Sequence, residues 1–480
     1  MMNRASRIIQ VAKHEIALAR ARRLPFWTAV TLGLVLGIAM VGGLTVQTAE
    51  AGIRDRYQSV VDRAWNEQPD RHPHRVAHYG FLAFRDRSPL AAFDPGVESY
   101  AGTSVFLEAH RQNLPNFGEA RHATSMLRFG ELSPALIFGV LVPLMILIVG
   151  HGTVSGERER GTLRLALAQG VGNGEFLAGK ALGLAAVFGI VALPLLAVSL
   201  IVTAIVVDPG PFGQMWPRVL TLTGLYALYL ASWVLVTVWV SNHAARSHGA
   251  LGALLAYWVL TCIGLPRAVP ALAGALHPSP TRAEYEAGID GELSLMGDSH
   301  DPDDPFFGAL RQEYLDRYGA SSVEDLPVNW GGVVSAEGEA LTTRVFVDAA
   351  DRLSGVHRDQ DRWATLAAFL SPYMALRGLS MRVAATDPSG MERFRADAED
   401  FRFDMVQRLN HLHTTEILYE DDRAQRVEAE EWQRFPTFGA RPPPLSQASF
   451  GEPLFGLALL FALGWPIVAL RWAARGVARP

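Results

Sequence analysis

Six stretches of this chain carry no charged side chain: 24–49, 132–156, 181–207, 219–245, 247–266 and 453–470. Each is 18 residues or longer, the length at which an α-helix crosses about 30 Å of hydrocarbon. Backbone polar groups in lipid must be bonded within their own segment, so helices are expected at all six. The expected fold class is therefore membrane all-α, with six transmembrane helices at 24–45, 133–151, 181–207, 219–241, 249–266 and 453–470.

The basic residues orient the bundle. Residues 1–23, 152–180, the short loop around Arg246 and the tail 471–480 together hold 14 basic and 4 acidic residues, leaving 29 basic and 44 acidic elsewhere. Short cytoplasmic loops carry the Lys/Arg excess, so both termini are expected in the cytoplasm. Ala49-Glu50-Ala51 resembles a signal-peptidase site. The basic leader and the length of the apolar run favour an uncleaved anchor. Within 1–23, Ile8, Ile9, Ala12, Ile16 and Ala19 fall near one helical face, with Arg7, Lys13, Arg20 and Arg22 around the rest. This is the pattern of an interfacial helix on anionic lipid, and equally of a basic leader that only sets topology.

Segments 46–132 and 267–451 fall on the other side, and the second holds 18 basic against 31 acidic residues. Helical spacing recurs at Asp304–Tyr318, Thr342–Leu353 and Met391–Leu412, and short strands are expected at Tyr79–Phe84 and Val333–Ser335. Turn chemistry marks Asn329-Trp330-Gly331-Gly332, Asp387-Pro388-Ser389-Gly390 and Pro442-Pro443-Pro444. A mostly α-helical exoplasmic domain built from two large outer loops follows.

Several chemistries are excluded or weakly supported. With a net charge of −5, nucleic acid is not an expected partner. One cysteine, Cys262, rules out a disulfide framework or a multi-cysteine metal site. Gly174–Ala181 nearly spells a phosphate-binding loop, but Ala181 lacks the hydroxyl that Mg²⁺ needs and the stretch opens a membrane helix. His14-Glu15 begins a zincin pair, yet Leu18 stands at the second histidine position. No nucleophile elbow occurs, so no catalytic residue and no enzyme activity are expected. His72, His74 and His78, and separately His411 and His413, read as surface polar groups, and no metal is expected. Charge-free spans argue against an ion relay. Gly33 and Gly37 form a Gly-x-x-x-Gly, a helix seam within or between subunits, and Pro143 and Pro194 are expected to kink their spans.

The cytoplasmic loop 152–180 is the informative segment. Glu157, Arg158, Glu159, Arg160 and Arg164 supply a charged face; Leu163, Ala166 and Leu167 share an apolar one. Gly170 stands at a helix carboxyl terminus, Asn173 is placed to cap the next helix, and Lys180 to snorkel at the membrane edge. Glu157-x-Glu159-x-Gly161-Thr162-Leu163, a turn, then Gly179-Lys180 resembles the loop after the second span in ABC exporter membrane subunits of the type-2 permease class. Many relatives have a proline where this chain has Gly170-Val171. The outer motifs Tyr79–Phe84, Ser88–Gly96, Ser104–Asn113, Leu370-Ser371-Pro372 and Phe394–Asn410 resemble one bacterial branch of that class, which carries a large exoplasmic domain of unknown role.

The resemblance implies a permease subunit in the bacterial inner membrane, paired with a second permease subunit. It implies ATPase coupling through Glu157, Glu159, Gly161, Thr162, Leu163, Arg164 and Leu167, with ATP and Mg²⁺ on a separate ABC ATPase. The cytoplasmic pieces 1–23, 152–180, 242–248 and 471–480 total 69 residues, too few for a nucleotide-binding domain of their own. An envelope protein is a further possible partner. A membrane receptor or scaffold without transport is the alternative from another class.

Overall fold

A computed structural model describes residues 3–113, 132–207, 215–297, 301, 303–439 and 453–475. The described residues are mostly helical with almost no sheet, and six described helices are long and apolar enough to cross a membrane. That makes it a multi-pass membrane protein. The six are Leu24–Asn66, Pro134–Glu159, Asn173–Val206, Trp216–His243, Ser247–Leu276 and Leu454–Ala473. The triple proline at 442–444 and the tail beyond 475 lie outside the described residues.

The amino-terminal helix α1 (Arg4–Ala21) is followed by α2 (Leu24–Asn66), which contains the first span and continues 21 residues past the expected boundary at 45. The polar residues after 49 keep helical spacing, so nothing in the sequence stops the helix at the membrane edge. Helix α3 (Pro73–Tyr79) leads into a small antiparallel sheet of β1 (Phe81–Phe84), β2 (Ser104–Glu108) and β3 (Arg111–Gln112). Phe81 pairs with Leu107 and Glu108 with Arg111.

The second span reaches α4 (Val142–Gly150) through a π-helical turn, Ile137–Leu141. Beyond it come α5 (Ser155–Glu159), α6 (Thr162–Ala168), and the third and fourth spans α7 (Asn173–Val207) and α8 (Trp216–His243). The fifth span is α9 (Ser247–Trp258), a π turn Val259–Gly264 and α10 (Leu265–Leu276). The remaining long helices are α11 (Arg282–Met296), α12 (Pro305–Tyr318), α13 (Trp330–Ala367), α14 (Pro372–Ala384), α15 (Pro388–Glu416) and the sixth span α16 (Pro453–Arg475).

Two expectations about this region need correction. Val333–Ser335 is not a strand but part of α13, and the expected turns at 329–332 and 387–390 are helix starts. Asn329 caps α13 by accepting from Gly332 N–H at 3.2 Å, and Asp387-Pro388 opens α15. Turn residues and amino-terminal caps draw on the same side chains, so composition alone does not separate them.

Helix α8 is the axis of the bundle, packed by α4, α7, α9, α14 and α16. Tyr226, Tyr229 and Trp233 are buried along it. Each π turn precedes a proline, Pro143 or Pro266, and side chains bond to backbone carbonyls in both turns. Pro143 deprives Gly139 of its usual donor, and Tyr229 OH donates to Gly139 O at 2.6 Å. Trp258 Nε1–H donates to Val140 O at 3.0 Å, and Ser371 Oγ–H to Thr261 O at 2.6 Å. In lipid such a carbonyl has no water to turn to. Tyr229→Phe is expected to destabilise the protein by about 1–2 kcal/mol, read as a lowered unfolding midpoint in detergent.

A second core joins the two segments that the sequence places outside. Trp65 from the far end of α2, Val76, Phe81, Val105 and Leu107 meet Phe394, Met405, Leu409 and Trp432. Backbone bonds between Arg71 and Val427 tie the same segments.

The motifs Ser88–Gly96 and Leu370–Pro372 lie at the joint between this domain and the spans. Gln47 on α2 donates to Ser88 O and accepts from Ala92 N–H, and Ser88 Oγ–H donates to Ala384 O. Asp94, fully buried, pairs with Arg377 and accepts from Ser380 Oγ–H, which meets Tyr226 OH at 3.0 Å. Gly96 has φ +53, and a Cβ there would lie 2.1 Å from Thr386 O, so no other residue fits. Buried charges in the span helices, Lys180 and Arg218, stand near the helix starts, and a buried ion pair from the segments between the spans rests against the fourth.

Candidate functional site

The loop after the second span folds as two short helices with different surroundings. Helix α5 continues the line of α4, Gly161 at φ 76 breaks it, and α6 then runs to a left-handed Gly170. Glycine reaches this backbone without penalty, and Gly170 ends the helix as the sequence suggested.

Helix α5 is riveted to the spans. Arg158 donates to Asn242 O and Ala244 O at 2.8 and 2.7 Å, at the end of α8. Glu159 accepts from the backbone N–H and Oγ–H of Ser247 at 2.9 and 2.7 Å. A carboxylate there satisfies a free N–H at the start of α9 and complements its dipole. Ser241 Oγ receives the N–H groups of Val154 and Ser155.

Glu157 turns inward, only 8% exposed. Its Oε1 lies 2.9 Å from Lys180 Nζ, and Thr162 Oγ1–H donates to its other oxygen. Lys180, 2% exposed, also meets Glu15 of α1 at 2.6 Å, and Thr153 donates to Glu15 at 2.9 Å. Lys180 does not snorkel: two carboxylates hold it inside. A charge-poor stretch offers one lysine, and whether it finds water or a partner depends on a helix 165 residues away. Asn173 likewise does not cap α7 by the expected contact. Its amide donates to Ala473 O at 3.3 Å, while Glu175 accepts the Gly172 N–H at 3.0 Å.

Helix α1 lies along the start of α7. Arg7 grips Glu175 with Nε and Nη2, each at 2.7 Å. A Cβ on Gly179 would stand 2.5 Å from Val11 Cβ, and one on Gly183 would stand 2.6 Å from Glu15 Cβ. The small-residue seam within the chain is therefore Gly179-x-x-x-Gly183. A Cβ on Gly33 or Gly37 would meet nothing within 4 Å among the described residues, so no internal seam forms there between them. The spacing at 179–183 was visible in the sequence, but its partner was not.

The face left open belongs to α6. Leu163 and Ala166 lean on the bundle core, as the shared face predicted, and Leu167 is half-buried. Thr162 and Arg164 are exposed, and Leu165 is 63% exposed. Leu165 is the apolar residue that the sequence reading passed over.

A second constellation lies in the domain built around the second core, which the sequence reading places outside. His72, His74, His78, His110 and His413 converge, while His411 is exposed with its ring outside the group. The reading of these as separate surface groups does not hold, and it omitted His110 and Glu339. Burial, then the rings of His78, His110, His413 and His72, hold His74 down to about 4. Burial opposes ionisation of Glu339, but bonds from His110 and Arg402 outweigh it and keep its pKa at about 2.

Residues 282–441 match a family described as a domain of unknown function, DUF3526. The matched segment supplies α11–α15, Glu339 and His413, but not the loop at 152–172. No curated protein matches the chain.

Proposed function

We propose that this chain is the membrane-spanning subunit of an ATP-driven exporter of the ABC type-2 class, in a bacterial inner membrane with both termini cytoplasmic. It pairs with a second permease subunit, and a separate ATPase holds ATP and Mg²⁺. The observation that carries the reading is the division of labour in the 152–172 loop. Helix α6 offers a short outward face with Leu165 and Arg164. Helix α5 is bonded to spans four and five, and Glu157 through Lys180 to span three and α1. A displacement imposed on α6 by a docked ATPase therefore passes to most of the bundle without slack, and the joint at 88–96 carries it to the outer domain.

Thr162, Leu163, Arg164 and Leu167 remain the proposed coupling residues on α6, with Leu165 added. Glu157 and Glu159 act by holding α5, and Gly161 by permitting the bend. The test follows from that split. Leu165→Asp with Arg164→Glu is expected to abolish co-purification of an ABC ATPase from native membranes while leaving the unfolding midpoint within about 1 °C, since surface changes cost little. Co-purification at the wild-type level would overturn the proposed docking face. Recovery of envelope proteins alone, with no nucleotide hydrolase even for the wild type, would favour a receptor or scaffold.

A further inference from the structure

Helix geometry places His74 and His78 one turn apart on the same side of α3, with their Nε2 atoms 3.2 Å apart. The third ring comes from the turn between β2 and β3. His110 sits there at φ +62, left-handed backbone that is uncommon for residues other than glycine. What holds it is Glu339 on α13, whose Oε2 accepts the His110 backbone N–H at 2.8 Å and faces its Nδ1 at 3.2 Å. Glu339 is itself fully buried and paired with Arg402.

A carboxylate on Nδ1 fixes the proton there and leaves the lone pair on Nε2, the arrangement found behind metal-binding histidines. One ring nitrogen from each of His74, His78 and His110 lies within 4.8 Å of the others. A tetrahedral ion held by imidazoles at 2.0–2.1 Å sets neighbouring nitrogens about 3.3 Å apart. The His74–His78 pair already has that spacing. His78 is exposed and the other two rings are half-buried, so an ion has a way in.

We propose that His74, His78 and His110 bind a divalent transition-metal ion of the zinc class, with Glu339 orienting His110 and a fourth position left to water. An all-imidazole set suits zinc and its neighbours rather than magnesium or calcium. The adjacent group of His72, His413 and Asp422 is not the site. His72 Nδ1 accepts the His74 backbone N–H at 3.2 Å, which puts the His72 proton on Nε2, facing Asp422. His413 Nε2 already pairs with Asp422 at 2.7 Å. That group forms the wall behind the three rings.

The test uses full-length protein in detergent, stripped with a chelator and titrated with Zn²⁺ by calorimetry and with Co²⁺ by visible absorption. One equivalent per chain is expected, with the intense bands of a tetrahedral Co²⁺ site. His78→Ala and His110→Ala are each expected to weaken Zn²⁺ binding at least tenfold, and Glu339→Gln by about 10–100-fold. His411→Ala is expected to change nothing. His78 is exposed, so its alanine variant should keep the metal-free unfolding midpoint but lose the rise that Zn²⁺ gives the wild type. Binding that survives His78→Ala and His110→Ala undiminished, uptake of several weak equivalents, or octahedral Co²⁺ spectra would overturn the proposal. It does not depend on the ATPase reading, and either can fail alone.

Discussion

Lys180→Met is expected to cost the protein about 3–5 kcal/mol, the penalty for breaking a buried ion pair by removing one partner. Methionine fills nearly the same volume, so packing loss is small. The loss is electrostatic: Glu15 and Glu157 are left facing each other where a cation stood 2.6 and 2.9 Å away. The measurement is the unfolding midpoint in detergent, with proteolytic sensitivity of the 152–172 loop as a second readout. Adding Glu15→Gln and Glu157→Gln is expected to recover most of the loss, because it removes two facing carboxylates, of which Glu157 keeps only the more exposed Arg160 at 3.5 Å. Full stability in Lys180→Met alone would show that the triad does not fasten α1 and α5 to the third span. It would also mean that Glu157→Ala leaves α5 in place, so that a defect in that variant would report directly on contact with the proposed ATPase.

The second large effect is steric. Gly179→Val is expected to displace α1 from α7, because even a Cβ would lie 2.5 Å from Val11 Cβ and 2.9 Å from Ile8 O. Overpacking of this kind costs about 1–3 kcal/mol, and here it also strains the Arg7–Glu175 pair. The readout is tryptic cleavage in native membranes at Arg20, Arg22 and Arg23, faster in the variant than in wild type. Gly37→Val is the control. Among the described residues nothing lies within 4 Å of a Cβ at that position, so cleavage should stay at the wild-type rate. Equal cleavage in wild type and Gly179→Val would mean that α1 does not depend on close approach at this seam.

The apolar windows made the six spans legible because a membrane helix has to be written in consecutive residues. The helical spacing of α12 and α15 was readable for the same reason. What escaped the sequence was pairing at a distance. Lys180 reads as a membrane-edge lysine until Glu15 is brought beside it, and Glu157 reads as a solvated charge until Lys180 is. His110 has no histidine close to it in the chain and became part of a cluster only through the turn between β2 and β3. The end of α2 was misplaced because hydropathy marks where lipid ends rather than where the helix does. At the loop itself the motif did not separate the residues that anchor α5 from those that α6 exposes.

The unbroken run of α2 has a mechanical corollary. Its 43 residues extend about 65 Å at 1.5 Å per residue, roughly twice the hydrocarbon thickness. One end sits beside α1 and the other places Trp65 in the core of the outer domain. A stiff rod of that length converts rotation into travel. A tilt of about 5° about its midpoint moves the far end by about 3 Å, enough to break side-chain contacts of about 4 Å in a well-packed core. The gearing is set by where the rod is gripped, and the Gln47 bonds to Ser88 and Ala92 place a fulcrum near its middle.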